Sequence, residues 1–360
     1  MKNIAIFFGG MSTEHDISII SANLVINAIK NSVNVIPIYI TKNNDFYTGD
    51  MFDIKVFKNF NEKKFTQVTF VKNKIYIVKG KKIKYYNYID VAIPVLHGKN
   101  GEDGTLQGFF EIMEIPYAQS NVLGSCLTIN KLYTKFLLKE AKIPSVEYEY
   151  IDKFSNYDIE SIVKKIGFPL IIKPVNLGSS IGITKVHNIE ELDKAVDLGF
   201  MFDDTLIIEK CLENFKEFNI SVMNTEKGVE TSLIEQPLSK NEILTFKDKY
   251  KTKTGKGMES VDRVFPADIP KDLETDIKLY AICAYEIFKL SGVVRIDFLY
   301  DENKNIYLNE INSIPGSMAF YLWKDKYTFK QMLENIIKEA ELNFKNKKKL
   351  TSYFDGTVLW

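Results

Sequence analysis

Residues Arg295–Ser317 read RIDFLYDENKNIYLNEINSIPGS, with two apolar runs on either side of a polar turn. Apolar runs of this length around a four-residue turn predict a β-hairpin. Each run nevertheless contains an acid, Asp297 in the first and Glu310 in the second. Because charged side chains are seldom buried without a partner, this hairpin is predicted to have a function beyond completing a sheet.

The register of the hairpin predicts which side chains face each other. If Asp301 pairs with the first residue after the turn ENKN, then Asp297 faces Glu310 on the neighbouring strand. Arg295 then faces Asn312. All of these facing residues lie on one face of the hairpin, because strand side chains alternate with a period of two.

Two opposed carboxylates repel each other unless a cation lies between them. Asp297 and Glu310, with the amide oxygen of Asn312, are hard oxygen ligands of the kind that Mg²⁺ prefers. Mg²⁺ usually completes its shell with water and substrate phosphates. The alternative is that Arg295 pairs with one of the acids on a solvated face, and the hairpin alone leaves both interpretations open.

The composition is that of an ordinary globular protein of two or three domains. The chain has 360 residues, 45% hydrophobic and 26% charged, and its formal net charge is zero. Such a chain has no overall basic field, so no nucleic-acid partner is predicted. The cysteines (Cys126, Cys211 and Cys283) form no CxxC pair, and the apolar runs are too short for a signal peptide or a membrane span of about 20 residues. A cytoplasmic protein without membrane contact is predicted.

The first third of the chain alternates strand and helix, which is typical of a parallel βαβ sheet. Residues 3–8 (NIAIFF) and 33–40 (VNVIPIYI) predict strands, and residues 45–88 predict an inserted set of short β segments. A second unit is predicted from residue 121, and a third, which contains the hairpin, from residue 212. The helix of the first unit is predicted from an apolar stripe of Ile17, Ile20, Leu24, Val25 and Ala28.

A glycine-rich turn, Gly178–Gly182, follows an apolar strand that ends near Lys173. Backbone N–H groups and serine hydroxyls in such a turn can bind phosphate, and a lysine can neutralise it. Similar turns also occur in hairpins without any ligand. Neither GxxxxGK[ST] nor GxGxxG is present, so the P-loop and Rossmann patterns fail. Together with a Mg²⁺ site, the turn predicts a nucleoside triphosphate.

Residues 239–263 are rich in lysine and lack apolar periodicity. A surface loop is one interpretation. Long loops of this kind inside compact domains are often lids, and a cationic lid would close over a polyphosphate.

Six motifs in the chain resemble, in order, those of the D-alanine–D-alanine ligases of the ATP-grasp superfamily. The similarity runs from about Asn3 to Gly316. The motifs are FGGMSTEHDIS (8–18), LHGKNGEDGTLQG (96–108), KPVNLGSSIGITKV (173–186), IIEKCLENFKEF (207–218), DKYK (248–251) and the hairpin sequence itself.

The resemblance implies an α/β fold with a three-domain ATP-grasp architecture and an N-terminal parallel βαβ domain. We expect a substrate-binding domain at 1–120 and a central ATP-grasp subdomain at 121–212. A C-terminal ATP-grasp subdomain is expected at 213–345, with the lid loop 239–263, and a tail at 346–360.

The resemblance also implies which residues bind ATP and metal. Two ions of Mg²⁺ or Mn²⁺ are expected on Asp297, Glu310 and Asn312. The expected ATP contacts are Lys131 and Lys173 (phosphates), Ser179 and Ser180 (the loop above them), Glu209, Lys210 and Leu212 (adenine), Glu217 (ribose) and Lys249 (γ-phosphate).

The implied catalytic residues surround the amino-acid substrates. Glu14 is expected to hold the ammonium of the first D-alanine, in a network with Ser179 and Tyr250. His97 is expected beside that substrate. Arg295 and the backbone of Gly316 are expected to bind the oxyanion.

The activity implied by the resemblance is the joining of two D-alanines through an acyl phosphate, with release of ADP and phosphate, for peptidoglycan precursor synthesis. A homodimer is expected. One alternative is the same chemistry with D-serine as the second substrate, whereas a tyrosine at position 250 disfavours D-lactate. The other alternative is a nucleotide-binding module without catalysis, which would require a broken metal or lysine set.

Residues 317–324, SMAFYLWK, depart from the family pattern. Tyr321 occupies the position of a serine that holds the carboxylate of the second substrate. Either Ser317 or the Tyr321 hydroxyl is expected to replace that serine, and the sequence leaves this choice open.

Overall fold

The computed structural model describes residues 1–178, 180–238 and 263–350. Within these ranges the chain forms three larger β-sheets and a two-stranded ribbon, with helices packed around them. The predicted α/β class is confirmed. No helix in the described ranges has the length and apolar character needed to cross a membrane.

The first sheet contains the strands β1 (Asn3–Gly9), β2 (Asn34–Ile40), β3 (Phe46–Thr48), β4 (Thr66–Val71), β5 (Lys74–Lys79), β6 (Lys82–Tyr88) and β7 (Val91–Pro94). Their order is β6-β5-β4-β3-β2-β1-β7. β1 is parallel to β2 and β7, as predicted, and β2 to β6 pair antiparallel. The predicted β insertion therefore extends this sheet.

Helix α1 (His15–Ile29) connects β1 to β2. The helix itself was predicted, but the predicted apolar stripe was wrong in phase, because Leu24 is 37% exposed. This helix has apolar residues at so many positions that their spacing does not select one face. Its buried apolar residues are Ile19, Ala22, Val25, Ile26 and Ile29.

The second sheet is antiparallel, with the order β10-β9-β11-β8. One face is covered by helices α5 and α6 and contains apolar residues such as Ile172 and Ile208. Residues at alternating positions, Lys173 and Glu209 among them, lie on the other face. The elements are α2 (Thr105–Ile112), α3 (Val122–Ile129), α4 (Lys131–Glu140), β8 (Tyr148–Asp152), α5 (Ile159–Ile166), β9 (Leu170–Pro174), β10 (Thr184–Val186), α6 (Ile189–Gly199) and β11 (Thr205–Lys210).

The third sheet has the order β13-β12-β16-β17 and is also antiparallel. Beside it, β14 and β15 form the short ribbon. The elements are β12 (Lys216–Thr225), β13 (Gly228–Thr231), β14 (Gln236–Pro237), β15 (Arg263–Val264), α7 (Lys271–Ile287), β16 (Val293–Tyr300), β17 (Ile306–Asn312), a 3₁₀ segment (Gly316–Trp323) and α8 (Phe329–Lys347).

The two faces of the third sheet differ sharply in polarity. Phe218, Ile296 and Phe298 lie on the apolar face and pack with residues of α7. Asn219 and Asp297, at alternating positions, pair directly across β12 and β16 on the opposite face. Helix α7 therefore buries the apolar face, and the polar face is left for a ligand.

The cross-strand pairs predicted for the hairpin are confirmed. Asp297 lies opposite Glu310, and Arg295 lies opposite Asn312. The two acids therefore share the polar face of the sheet.

The predicted pairing at the turn of this hairpin is wrong by one residue. Tyr300, and not Asp301, pairs with Ile306. A β-bulge in β17 adds one unpaired residue, Asn309, and restores the predicted register at the two acids. The bulge thus sets which β17 side chains reach the polar face.

Helix α8, near the C-terminal end, belongs to the core of the first sheet. Met332, Leu333 and Ile336 are fully buried against residues of β1 and β7, together with Trp323. Sequence-distant parts of the chain therefore form one packed core.

Gly292, just before β16, provides a test of the packing at this junction. Its φ is +70°, and a Cβ atom would lie 2.6 Å from the Gln119 Cα atom. Gly292→Ala is expected to lower the free energy of unfolding by about 3 kcal/mol or more, because backbone strain and a backbone clash add. Urea denaturation followed by circular dichroism measures this change.

The matched control is Gly228→Ala, where φ is +101° and no atom lies within 4 Å of the added Cβ. It retains the strain without the clash, so a loss of about 1 kcal/mol is expected. Equal losses in the two variants would contradict the assigned clash.

Candidate active site

Two adjoining cavities are lined by residues of the second and third sheets. The lysine cavity has a volume of about 130 Å³, and Lys135, Lys173 and Lys185 are in its wall. The arginine cavity has a volume of about 90 Å³, and Arg263 and Arg295 are in its wall. A ligand in one cavity lies next to a ligand in the other, because both cavities are lined by Lys131, Gly178, Glu217, Asn309 and Glu310.

The hairpin acids lie where these cavities meet, and one of them is held by arginine. Arg295 donates from Nε and Nη2 to the two carboxylate oxygens of Asp297, each at 2.7 Å. Asn312 Nδ2 donates to the same carboxylate at 3.1 Å. Burial alone would lower the pKa of Arg295, yet Asp297 raises it well above its ordinary value. The sequence left open whether Arg295 pairs with one of the hairpin acids. In the structure it forms a buried ion pair with Asp297.

The same residues fit a divalent cation that also binds phosphate. Asp297 and Glu310 both line the lysine cavity, and Glu310 and Asn312 line the arginine cavity. In the described ranges, no three acidic, histidine or cysteine residues are grouped to hold a metal by themselves. Two carboxylates with an amide oxygen suit Mg²⁺, which takes its other ligands from substrate and water.

The wall of the arginine cavity has polar atoms that lack a partner. Asn219 Oδ1 and Ser313 Oγ are buried, and neither has a hydrogen bond among the described residues. Buried polar atoms are usually bonded, so this wall is suited to a polar ligand.

The lysine cavity is built around a buried carboxylate. Glu209 contacts Lys173 Nζ at 2.5 Å and Lys135 Nζ at 2.9 Å. Burial raises the pKa of Glu209, but the two lysines outweigh this effect and lower it to about 2. Glu209 thus fixes two ammonium groups in the wall.

The other residues expected to bind ATP lie around the same cavity, which is lined by Ser180, Leu212 and Glu217. Lys131 Nζ donates to the carbonyl of Leu177, close to the glycine-rich turn. Lys210 Nζ donates to the carbonyls of Gly167 and Phe168, at 3.1 and 3.0 Å. The lysine cavity therefore brings together the expected ATP contacts that the structure describes: Lys131, Lys173, Ser180, Glu209, Lys210, Leu212 and Glu217.

Three of the predicted site residues lie outside the described residues. These are Ser179 in the glycine-rich turn and Lys249 and Tyr250 in the predicted lid.

Two loops that follow strands of the first sheet contribute to the site. One contains Glu14, and the other holds the loop after the hairpin. Glu14 is 9% exposed and lines the arginine cavity. His97 Nδ1 donates to the Ile314 carbonyl at 2.8 Å, and the Ile314 N–H donates to Glu102 at 2.9 Å. The backbone N–H and the carbonyl of Ile314 are therefore both held by the loop that follows β7.

Glu102 was not predicted from the sequence as a site residue. It is buried, lines the arginine cavity, and accepts hydrogen bonds from Gly98 and Ile314. Burial, with a smaller effect from Glu14, raises the pKa of Glu102 to about 8. The sequence feature that could have identified Glu102 as a site residue is its position within the motif LHGKNGEDG. The contact of its carboxylate with Ile314, however, depends on the tertiary fold.

The residues expected to hold the second carboxylate line neither cavity. Ser317 is buried, and its N–H donates to Ser21 Oγ at 3.0 Å. The Tyr321 hydroxyl donates to Glu235 at 2.8 Å. Gly316 begins the 3₁₀ segment that contains both residues.

The fold and the cavities define an α/β protein of ATP-grasp architecture, with acids and lysines on facing walls. The family models for the D-ala D-ala ligase N-terminus and C-terminus match residues 3–120 and 137–338. The chain therefore belongs to the D-ala D-ala ligase family, as predicted.

Individual relatives agree with this membership. The D-alanine–D-alanine ligase of Thermosipho melanesiensis is 40% identical, covering 97% of this chain and 96% of that protein. The solved D-alanine-D-alanine ligase of Coxiella burnetii has a TM-score of 0.81 and 25% identity, covering 97% of this chain and 98% of its own.

A third relative is named for a different acceptor. The solved VanG D-Ala:D-Ser ligase of Enterococcus faecalis has a TM-score of 0.79 and 31% identity, covering 94% of this chain and 99% of its own. The chain is therefore an enzyme of the ligase class, and the family uses ATP with a divalent metal.

The buried carboxylate of Glu209 leads to a prediction about stability. Glu209→Gln leaves two lysines near each other without a counter-charge, so the free energy of unfolding at about pH 7 is expected to fall by about 3 kcal/mol. Because the folded pKa of Glu209 is about 2 and the ordinary value is 4.5, its stabilisation is complete above the ordinary value and is lost as the pH falls towards 2. The difference between variant and parent should therefore narrow in urea denaturation as the pH is lowered.

Glu149→Gln is the control, since Glu149 pairs with an exposed lysine, Lys165. Its loss is expected to stay below about 1 kcal/mol. The assignment of the buried cluster fails if Glu209→Gln is no more destabilising than Glu149→Gln.

Proposed function

We propose that this chain joins two D-alanine molecules into D-alanyl-D-alanine, with ATP converted to ADP and phosphate, for peptidoglycan precursor synthesis. Family membership over nearly the whole chain supports this activity. The structural observation that carries it is the pair Asp297 and Glu310, which lies between a lysine-lined cavity and an arginine-lined one.

ATP is assigned to the lysine cavity. Lys131 and Lys173 contact its phosphates, with Ser179, Ser180 and Lys249 around them. Glu209 positions Lys173, since its carboxylate binds that ammonium. The remaining assignments are adenine to the segment Glu209, Lys210 and Leu212, and ribose to Glu217.

Asp297, Glu310 and Asn312 are assigned to two ions of Mg²⁺ or Mn²⁺. The oxygen ligands on adjacent strands support this assignment. Bound there, the ions supply neutralisation of the phosphate charge and hold the nucleotide in position.

The first D-alanine is assigned to the arginine cavity, with its ammonium on Glu14, in a network with Ser179 and Tyr250. His97 and Glu102 position the loop at Ile314 beside it. The carboxylate of this D-alanine attacks the γ-phosphorus, and an acyl phosphate forms as ADP leaves. Arg295 and the backbone of Gly316 stabilise the oxyanion that develops next.

The second D-alanine then attacks through its amine. A carbon–nitrogen bond forms, the carbon–oxygen bond breaks, and phosphate leaves with that electron pair and takes up the proton that the amine loses. Neither step requires a covalent enzyme nucleophile, so positioning and charge stabilisation suffice.

We propose the domain division 1–120, 121–212 and 213–345 with a tail at 346–360. The three sheets fall within the first three ranges, which supports it. A homodimer in the cytoplasm is also proposed, on the family resemblance, and light scattering after gel filtration tests the dimer.

Variants of the hairpin acids test the metal assignment. Glu310→Gln is expected to lower ADP release by about 100-fold or more, since even outer-shell changes at metal sites cost 10–100-fold. Adding Asp297→Asn should abolish release. Coupled-enzyme assays across a Mg²⁺ titration measure both, with circular dichroism to verify folding.

Asp301→Asn is the control on the same hairpin. Asp301 binds Asn305 and Tyr307, and it lines neither cavity. Full ADP release by the double variant would refute the metal assignment.

Acceptor choice is tested by phosphate release with D-alanine, D-serine or D-lactate as the second substrate. D-alanine is expected to react best near neutral pH. The similarity to a D-Ala:D-Ser ligase supports D-serine as the second candidate. Faster release with D-serine would replace the proposed acceptor, and ATP binding without stimulation by any D-amino acid would favour the non-catalytic module.

A further inference from the structure

A buried polar cluster at the wall of the arginine cavity has no role in the chemistry above. Asn219, Glu235 and Arg263 line the cavity, and Tyr321 contacts Glu235 and Arg263 without lining it. Glu235 is 2% exposed and Tyr321 is 4% exposed. Such a cluster is costly to bury unless its groups are well bonded.

Glu235 is the centre of this cluster. Its Oε1 atom accepts hydrogen bonds from the Tyr321 hydroxyl at 2.8 Å and from Asn219 Nδ2 at 3.2 Å. Its Oε2 atom accepts from Arg263 Nη1 at 2.9 Å. The backbones of Glu235 and Asn219 also bond to each other in both directions, each at 3.0 Å. Glu235 is thus fixed to the third sheet.

The guanidinium of Arg263 is held from two directions. Glu235 binds one edge, and the ring of Tyr321 lies under its face, with 4.6 Å between the guanidinium carbon and the ring centroid. A guanidinium that is stacked and paired in this way has little freedom to rotate, and its planar fork matches a carboxylate.

The acceptor amino acid needs a cation, because its own carboxylate stays free throughout the reaction. The cationic residues that line the arginine cavity, within the described ranges, are Lys131, Arg263 and Arg295. Lys131 binds the Leu177 carbonyl and also borders the lysine cavity. Arg295 is held on Asp297 by two hydrogen bonds. Arg263 is paired with Glu235, and it is the cation of these three to which the proposed chemistry assigns no role.

We propose that Arg263 binds the carboxylate of the acceptor amino acid, and that Glu235 and Tyr321 orient its guanidinium for this purpose. This inference rests on the proposed function. It offers an answer to the choice left open by the sequence: the Tyr321 hydroxyl is already bonded to Glu235, and neither Tyr321 nor Ser317 lines the arginine cavity or the lysine cavity. The unpartnered Asn219 Oδ1 and Ser313 Oγ in the same wall are consistent with a polar ligand there.

A competition between D-alanine and D-alaninamide as acceptors tests the role of Arg263. The amide has the same attacking amine but no carboxylate, and it cannot serve as the donor. The ratio of dipeptide to dipeptide amide, measured by mass spectrometry, compares two acceptors within one enzyme sample. A fall in the fraction of folded enzyme therefore leaves the ratio unchanged.

Arg263→Met is expected to lower the preference for D-alanine by about 100-fold, because a charge-assisted bidentate contact is lost. Arg263→Lys should keep part of the preference, and Tyr321→Phe should reduce it by about 10-fold by loosening Glu235. The matched control is Lys326→Met, whose ammonium binds the Thr231 carbonyl and lies outside the cavity. It should retain the parent ratio.

An unchanged ratio in an active Arg263→Met enzyme would overturn the inference and leave the proposed function intact. If that variant does not fold, a parental ratio in both Arg263→Lys and Tyr321→Phe would overturn it equally. A parent enzyme without D-alanine-dependent ADP release would instead overturn the proposed function, and this inference with it.

Discussion

The buried ion pair between Arg295 and Asp297 makes the charged face of the third sheet possible. The two residues are only 8% and 4% exposed. An isolated charge at this depth would cost on the order of several kcal/mol, and two hydrogen bonds of 2.7 Å offset that cost. Asp297 can therefore be buried opposite Glu310, so that two acids share one side of a sheet whose other side is an apolar core.

The lysine wall is built in the same way with the charges reversed. Glu209 binds Lys135 and Lys173, so the ammonium groups are fixed by a carboxylate within the fold. Two ammonium groups on one carboxylate leave a positive charge there, and the hairpin has the further acid Glu310, so a nucleotide with its cations brings complementary charges of both signs to the space between. Because these groups are already oriented, little reorganisation is required when charge moves during the reaction.

The first sheet takes part in this arrangement through the backbone of a single residue, Ile314. Glu102 and His97 hold the two sides of Ile314, directly after the hairpin strand. The loop that follows β7 is thereby tied to the strand with the acids. The cluster at Arg263 extends the same wall, and its partners come from the third sheet and from the 3₁₀ segment.

The sequence by itself determined the α/β class and the hairpin, because strand alternation and a short turn are local properties of the backbone. The predicted pairing of Asp297 with Glu310 is correct because a bulge offsets the one-residue error at the turn. It did not determine the buried face of α1, where apolar residues occur all round, or the bulge at Asn309. Only the tertiary structure decided the partners of the buried charges. Glu102 meets a peptide unit 212 positions away, and Arg263 meets a carboxylate 28 positions away. Such contacts follow from how the sheets pack on one another, and the spacing of residues along the chain does not encode that packing directly.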